Sequence, residues 1–511
     1  MKRERVIKNV LYLFIVLHVL AWTLAPSLVR FTLPMDAMEG ATWGHQLAWG
    51  YDKNPFLNAW LTRLALTLGG QWTVYLFAQL SVAVCFWAVF RLGCAMMPPL
   101  YALMGVLLLE GLQYYNFHAI DFNDNTLELG LWAVLVLFFY HAVRDKKMRD
   151  WLCVGFFAGL SLMTKYYTAM LLVPLFLFLL TDKKTRSVFS DTGIYAAFLV
   201  CLLISTPHII WLFSHEFVTV QYALARTGSE LGWWSHIRFP FGFLWQQCLV
   251  LLPGLVLLLP LGFGKATPIF AKMDSMKRFD RRFLLFAGMG PLIMTVLLSI
   301  MAGIKLRAGW GQPLLSYSGL MLMMQLRPVL TRRRVRNFGC LLAVLLTVAV
   351  SGYGAALMRA PSPSSAIFPG KVISEQLEGW WHAHYAAPLR YVVGPRWYAG
   401  NVAFYSAENP AVYMEADSRV SPWIDMTDLR KKGALFVWEK SDTAFEARMR
   451  QRFPELTDTR IFWFQPARNA GSLQALGVAV ALLPPDPAFT FRGQAVPEAA
   501  HSEIPAVKTD F

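Results

Sequence analysis

Apolar stretches recur along the first 358 residues, each close to the roughly 20 residues a helix needs to cross about 30 Å of hydrocarbon. They fall at 9–29, 72–96, 99–117, 125–143, 150–166, 167–181, 192–213, 240–263, 283–304, 310–326 and 337–358. About eleven crossings follow from this spacing. Such a chain has few folds open to it, because backbone polar groups inside a bilayer must be satisfied within helices or a closed barrel. Helices are the choice that runs of this length allow. Hydrophobic residues make up 56% of the 511 and the mean hydropathy is +0.43, which is beyond the balance of a soluble domain. The expected fold is a polytopic α-helical membrane protein.

Basic residues favour the cytoplasmic side of short loops. With the N-terminus cytoplasmic, 23 of the 31 Lys and Arg before residue 359 lie in the N-terminal segment, at Arg91, and in the loops 144–150, 182–191, 265–282 and 327–336. An odd number of crossings then puts the tail on the opposite, periplasmic side. That tail carries 16 Lys and Arg against 16 Asp and Glu, so the formal net charge of +15 belongs to the membrane part. The basic balance reports topology, and no nucleic-acid partner is implied. Arg332-Arg333-Arg334 faces anionic membrane lipid. All six cysteines (Cys85, Cys94, Cys153, Cys201, Cys248, Cys340) fall in or beside spans, leaving the tail without a disulfide framework or a Cys-based zinc site. The first span has a basic leading region, but Val29-Arg30-Phe31-Thr32 offers no small-x-small cleavage site, so a retained helix is expected.

Three regions result: a membrane domain over 1–358, a small α/β domain over 359–483, and an extended or disordered stretch over 484–511 rich in Pro and Ala. Within the α/β domain, short β-branched or aromatic runs predict strands at 389–394, 401–405 and 434–438, and 442–452 reads as a helix.

A second set of ionisable residues lies in the loops of the outer side. The first such loop holds Asp36, Glu39, His45, Asp52 and Lys53, followed by an amphipathic stretch over 56–68 too short to span. Further loops supply His118, Asp121, Asn123, Asp124 and Asn125, then Lys165 and Tyr166, then His215, Glu216, Tyr222, Arg226, Glu230, His236 and Arg238, and last Lys305, Arg307 and Trp310. Ionisable groups beside a bilayer carry a desolvation cost, so such a set marks a site. A carboxylate among Asp36, Asp121 and Asp124 can take a proton from a hydroxyl, while neighbouring Lys and Arg suit a phosphate that leaves with negative charge. The pattern fits transfer of a group from a phosphate carrier. Plainer roles compete residue by residue: Asp124 could cap the helix it opens, His208 could be a packed histidine, Lys165 could snorkel, and Arg226 could pair with Glu216 or Glu230. A transporter or a non-catalytic envelope assembly protein are readings of another class. Transporters, however, set their charges near the bilayer midplane in paired repeats, and no such repeat is visible.

Asp36-Ala37-Met38-Glu39 and Gly50-Tyr51-Asp52-Lys53-Asn54-Pro55-Phe56-Leu57 resemble the first periplasmic loop of the polyprenyl-phosphate-sugar glycosyltransferases related to protein O-mannosyltransferases, which have the GT-C fold. Phe122-Asn123-Asp124-Asn125-Thr126, Thr164-Lys165-Tyr166, Pro207-His208-Ile209-Ile210-Trp211, Trp310-Gly311-Gln312-Pro313 and Pro422-Trp423-Ile424-Asp425 are similar to the bacterial branch with lipid A aminoarabinose and galacturonic acid transferases. The resemblance implies a bacterial inner-membrane enzyme that moves a sugar with inversion from a polyprenyl-phosphate donor to lipid A or core oligosaccharide. A protein acceptor is the alternative within the same fold. It implies Asp36 as catalytic base, with Asp124 and Asp121 as further catalytic candidates. Lys53, Arg226 and Lys165 are the implied holders of the donor phosphate, and Glu39, Tyr51, Tyr166, His208, Arg307 and Trp310 are substrate-binding candidates. The aminoarabinose enzymes carry a Glu-Lys-Pro-Pro where this chain has Asp52-Lys53-Asn54-Pro55, and Arg226 stands about where their metal-sharing histidine does. A divalent metal would therefore need Asp52 with His215 or His236.

Overall fold

The computed structural model describes residues 2–226, 232–262, 277–359, 364–467 and 475–486. Glu230, most of the basic loop 265–282 and residues 487–511 of the expected extended stretch lie outside the described residues. The chain divides into two compact units, Met1–Phe368 with Gln465–Gln474, and Pro369–Phe464 with Ala475–Phe511.

In the first unit the helices are α1 (Lys2–Val29), α2 (Met35–Gly44), α3 (Leu57–Gly69), α4 (Gln71–Met96), α5 (Pro99–Leu109), α6 (Asp124–Asp145), α7 (Met148–Leu162), α8 (Ala169–Leu180) and α9 (Lys183–Arg186). They continue with α10 (Thr192–Ser214), α11 (Val218–Arg226), α12 (Ser235–Leu258), α13 (Lys277–Gly288), α14 (Gly290–Ala302), α15 (Ser318–Leu326) and α16 (Arg332–Met358). Among the described residues six helices are long and apolar enough to cross a membrane singly: α1, α4, α6, α10, α12 and α16. Two bent pairs, one running from Tyr166 through α8 and α9 to Ser190 and the other formed by α13 and α14, raise the number to eight. The other three expected crossings fall on shorter helices, α5 with 11 residues, α7 with 15 and α15 with 9.

The reason is visible after α5. At Glu110-Gly111 the chain leaves the helix and runs through short 3-10 turns at Gln113–Tyr115 and His118–Ile120 to reach α6. Irregular backbone at membrane depth is tolerated where protein buries it, and Glu110, Leu112, Tyr114, Tyr115 and Asn116 are all buried. Asn116 supports the turn by donating to the Glu110 carbonyl at 2.9 Å. Apolar length alone reads 99–117 as one span, because the tyrosines that pack here are as hydrophobic as a lipid-facing helix.

Helix α6 is the interior post of this unit: 83% of its apolar window is buried, against 28% for α10 and 6% for α16. A polar lock ties α1, α4 and the end of α5. His18 Nδ1 lies 2.6 Å from Glu110 Oε2, His18 Nε2 lies 3.1 Å from Gln79 Oε1, and Trp22 donates to Glu110 Oε1 at 3.4 Å. Gln79 donates its amide to the Ala119 carbonyl at 2.9 Å, so its oxygen is the end left to face the histidine. All four side chains are fully buried, and pairing of this kind is what makes ionisable groups tolerable inside a bilayer.

The short helices α5 and α15 cross where neither has a side chain. A Cβ on Gly319 would lie 1.9 Å from the Gly105 carbonyl oxygen, so the two backbones touch as small residues allow between membrane helices. Gly319→Ala is expected to lower stability by about 1–3 kcal/mol through overpacking; thermal unfolding in detergent checks this, and an unchanged melting temperature would refute it.

The second unit is a small α/β domain with helices α17 (Gly370–His384), α18 (Arg396–Tyr405), α19 (Met426–Lys432) and α20 (Thr443–Arg452). Its strands are β1 (Tyr391–Gly394), β2 (Ala411–Met414), β3 (Ala434–Glu439), β4 (Thr457–Phe464) and β5 (Leu476–Leu483), in the order β2-β1-β3-β5-β4. β1 runs parallel to β2 and β3, and β5 lies antiparallel between β3 and β4. β3 is buried at its first five positions, as an apolar strand covered on both faces should be. β1, β3 and α20 lie where the sequence predicts them. The expected strand at 401–405 is instead the second half of α18, in which residues 398–403 are all buried, so no burial period was there to set against the local β preference.

Candidate active site

Loops at one end of the helical unit enclose a cavity of about 810 Å³. Asp36, Glu39, Lys53, Asp121, Asp124, Lys165, Tyr166, Arg226, Arg307 and Trp310 all line it. Four acids and four cations predicted from separate loops thus meet in one space.

The first loop is folded as a helix. Asp36 sits in the first turn of α2, whose preceding Pro34 supplies no side-chain cap. The cap comes from another segment: Asp121 Oδ1 accepts from the Ala37 amide at 2.9 Å and Oδ2 from the Asp36 amide at 3.4 Å. A carboxylate at a helix N-terminus satisfies orphan N–H groups and meets the positive end of the helix dipole. Asp124 does not cap the helix it opens. Asn123 does, accepting from the Thr126 amide at 3.1 Å, and Asp124 takes a 2.7 Å hydrogen bond from Asn54 instead. Asn123 in turn donates to Asp36 Oδ2 at 2.9 Å. Each of the two loops therefore lends an asparagine to the other's aspartate.

The cations stand against aromatic rings. Lys53 Nζ pairs with Glu39 at 2.5 Å and lies 6.0 Å from the Trp43 ring and 5.7 Å from the Tyr222 ring. The Arg226 guanidinium is 5.5 Å from the same Tyr222 ring. Lys165 donates to Asn125 at 2.6 Å and sits between Tyr167 and Trp310, at 5.6 and 5.5 Å from their rings. Rings at these distances attract a cation without neutralising it, so the charge of Lys165 stays available to an anion.

Three residues named from the sequence lie behind the lining. Tyr51 is fully buried, stacks on Trp43 and donates to the Gln46 carbonyl at 2.8 Å. His208 is 1% exposed. Its Nδ1 lies 2.7 Å from the Trp49 carbonyl and its Nε2 lies 2.5 Å from the Tyr166 hydroxyl. A carbonyl only accepts, so Nδ1 carries the proton and Nε2 accepts from Tyr166, which makes His208 a support for a lining residue. His215 stacks on Trp211 with centroids 4.2 Å apart and its Nδ1 faces the Trp211 carbonyl at 2.8 Å.

The chain between them is pressed against α10: a Cβ on Gly50 would lie 2.4 Å from the Trp211 ring and 2.8 Å from His208 Nδ1. Glycine at this position is therefore a requirement of close approach. Asp52 is 3% exposed and does not line the cavity. Among the described residues neither Asp52, His215 nor His236 joins a group of three or more ligand atoms, so the donor set needed for a divalent metal there is not assembled. The one such group is Glu378, His382 and Glu408, within the α/β domain.

Asn54, Asn123 and Asn125 are the site residues that sequence reasoning left without a role. The signal was present, since each stands beside a singled-out Lys or Asp, but an amide has no charge to draw attention.

The electrostatics follow the crowding. Asp121 is pushed up to about 8, first by burial and then by the Asp36 charge beside it. Burial pushes His118, at the edge of the cavity, below its ordinary value.

The helical unit with its charged, aromatic-walled cavity is that of a multi-pass membrane protein, and the comparisons give its fold. Residues 53–211 match the family described as dolichyl-phosphate-mannose-protein mannosyltransferase. The crystal structure of ArnT from Cupriavidus metallidurans bound to undecaprenyl phosphate superposes with a TM-score of 0.63 at 13% identity, covering 92% of this chain and 98% of that one. The apo state of the same protein gives 0.61 at 13% identity, with 93% and 98% covered. No curated protein matches the sequence. The GT-C fold implied by the loop motifs is the fold of this chain.

Because Asp121 holds its proton to about pH 8 when folded and only to its ordinary value of 3.8 when unfolded, its contribution to stability is complete at low pH and is lost as pH rises through about 8. The melting temperature is expected to fall across that window, and Asp121→Asn to flatten the fall; equal slopes for the two proteins would refute the assignment.

Proposed function

We propose that the protein is an inverting glycosyltransferase that moves a sugar from a polyprenyl-phosphate carrier to a hydroxyl acceptor at the periplasmic face of a bacterial inner membrane. The observation that carries this reading is the convergence of Asp36 with Lys53, Lys165 and Arg226 in one aromatic-walled cavity. Asp36 is exposed to that space, and its carboxylate accepts the acceptor hydroxyl's proton as the oxygen attacks the anomeric carbon. The bond from that carbon to the phosphate oxygen breaks with its electron pair, and the configuration inverts. The departing polyprenyl phosphate gains negative charge, which Lys53, Arg226 and Lys165 offset at the moment it develops.

Lys53 is paired with Glu39. Donor phosphate would compete with Glu39 for it, so the pair keeps the lysine in place until the carrier arrives. ArnT of Cupriavidus metallidurans, similar in fold, is described with undecaprenyl phosphate bound, which supports that carrier class here. Arg307, free of the phosphate group's work, suits the carboxylate of an acidic sugar. Lipid A or core oligosaccharide is the proposed acceptor, with a protein hydroxyl as the alternative. The charges lie at one end of the bundle, unlike the midplane sites of transporters. No step is assigned to a metal.

The test uses purified protein with a panel of undecaprenyl-phosphate-linked uronic acid, hexose and amino sugars. Asp36→Asn is expected to lower transfer by about 10²–10⁴-fold, the usual worth of a general base, while still binding undecaprenyl phosphate. Lys53→Ala should weaken that binding by about tenfold or more. Full transfer by Asp36→Asn would sink the base assignment, and a wild-type protein silent with the whole panel would sink the donor class.

A further inference from the structure

The side chain facing Asp36 is an asparagine whose orientation the fold leaves no freedom to choose. Asn123 is the N-cap residue of α6, and its carbonyl oxygen accepts from the Thr126 amide at 3.1 Å. An asparagine amide has one acceptor end and one donor end. With the oxygen committed to the cap, the NH₂ group must point the other way, and it meets Asp36 Oδ2 at 2.9 Å. The cap is itself fixed: Thr126 donates its hydroxyl to the Asp121 carbonyl at 2.8 Å and receives the Gln312 amide at 3.2 Å. The helix thus aims a donor, never an acceptor, at the carboxylate.

The surroundings make that polarity matter. Asp36 interacts electrostatically with Asp121 and with Asp124, and the nearby charges that bear on those two are Arg30, Glu39, Lys53 and Lys165. Arg30 bonds elsewhere, to the Thr32 carbonyl and Ser365, Lys53 is engaged by Glu39, and Lys165 by Asn125. Asp121 turns both its oxygens to backbone amides of α2. The donated hydrogen bond satisfies one oxygen of Asp36 and fixes which of its oxygens faces the cavity.

We infer that Asn123 is a positioning residue that orients the Asp36 carboxylate through an amide whose direction is set by the N-terminus of α6. The inference rests on the proposed role of Asp36 as base. Asn123 itself touches no reacting atom. Its role also explains why the cap of this helix is asparagine: Asp and Ser cap a helix about as well, but neither offers an NH₂ to a carboxylate.

That equivalence supplies the test. Asn123→Asp keeps the cap and replaces the donor with a like charge, and Asn123→Ser keeps the cap while its shorter side chain draws the donor back from Asp36. The first readout needs no sugar: carbodiimide, which couples to protonated carboxyls, labels Asp36 in the full-length purified protein across a pH series, and peptide mass spectrometry gives the pH of half-labelling. That pH is expected to rise in Asn123→Ser and to rise further, by about one unit or more, in Asn123→Asp. The second readout is transfer from the undecaprenyl-phosphate sugar panel, where kcat should fall about tenfold or more with undecaprenyl-phosphate affinity unchanged.

An unchanged half-labelling pH in a folded Asn123→Asp protein overturns the inference, as does a kcat equal to wild type. If Asn123→Asp does not fold, Asn123→Ser is read by the same two criteria. A shifted labelling curve together with a wild-type protein inactive on every donor would defeat the glycosyltransferase reading and leave the brace standing.

Discussion

Asp36, Asp121 and Asp124 line one cavity at the end of a helix bundle, where each carboxyl needs hydrogen-bond donors. The local structure is arranged to supply them with donors. Asp121 takes two backbone amides from the start of α2, Asp36 takes the Asn123 amide, and Asp124 takes the Asn54 amide. Because the donors come from the opposite loop in each case, satisfying the acids also fixes the two loops to each other. Together with the packing of α2 on α3, these bonds hold a ten-residue helix, uncapped by its own sequence, in front of the cavity.

The same logic recurs deeper in the unit. His18, Gln79, Trp22 and Glu110 satisfy one another between α1, α4 and α5, at the point where α5 ends and the irregular backbone toward Asp121 begins. The polar lock anchors the start of that segment, and the Asn123 cap anchors its end. Between them, buried tyrosines hold the turns: Tyr114 donates to the Ala308 carbonyl at 2.6 Å and Tyr115 to Ser316 at 3.1 Å. Those bonds carry the restraint across to the segment bearing Arg307 and Trp310, so the acid side and part of the cation side of the cavity share one support.

Much of this was legible in the sequence, for physical reasons. Apolar length located a helix at every expected crossing, since hydrocarbon thickness sets a strong length filter. It could not see that α5, α7 and α15 stop short, because the buried tyrosines and glycines that replace the missing turns satisfy a hydropathy scale equally well. Charge located the cavity lining, as Lys53, Lys165, Arg226 and Arg307 stood out against an apolar background. Asp36 was legible as a site residue but not as a helical one, and Tyr51 and His208 looked like ligands when their rings in fact pack behind the wall. In the α/β domain the central β1 and β3 showed through their β-branched runs. β2 is four residues long, β4 opens on the four polar residues Thr457-Asp458-Thr459-Arg460, and α18 is buried without a break over 398–403 and so shows no helical period.

The meeting of Gly105 and Gly319 bears on how the protein is made. Neither α5 nor α15 is long enough to partition across a bilayer alone, and each needs the other's bare backbone to close the gap between them. More than 200 residues separate the two glycines, so during synthesis α5 waits beside α4 and α6 while the intervening helices are inserted. The α5–α15 contact closes only after α15 leaves the ribosome. A nascent chain cut short before residue 319 would therefore carry every residue that lines the cavity and still lack the helix against which α5 packs, which ties the seating of α5 to a late stage of membrane insertion.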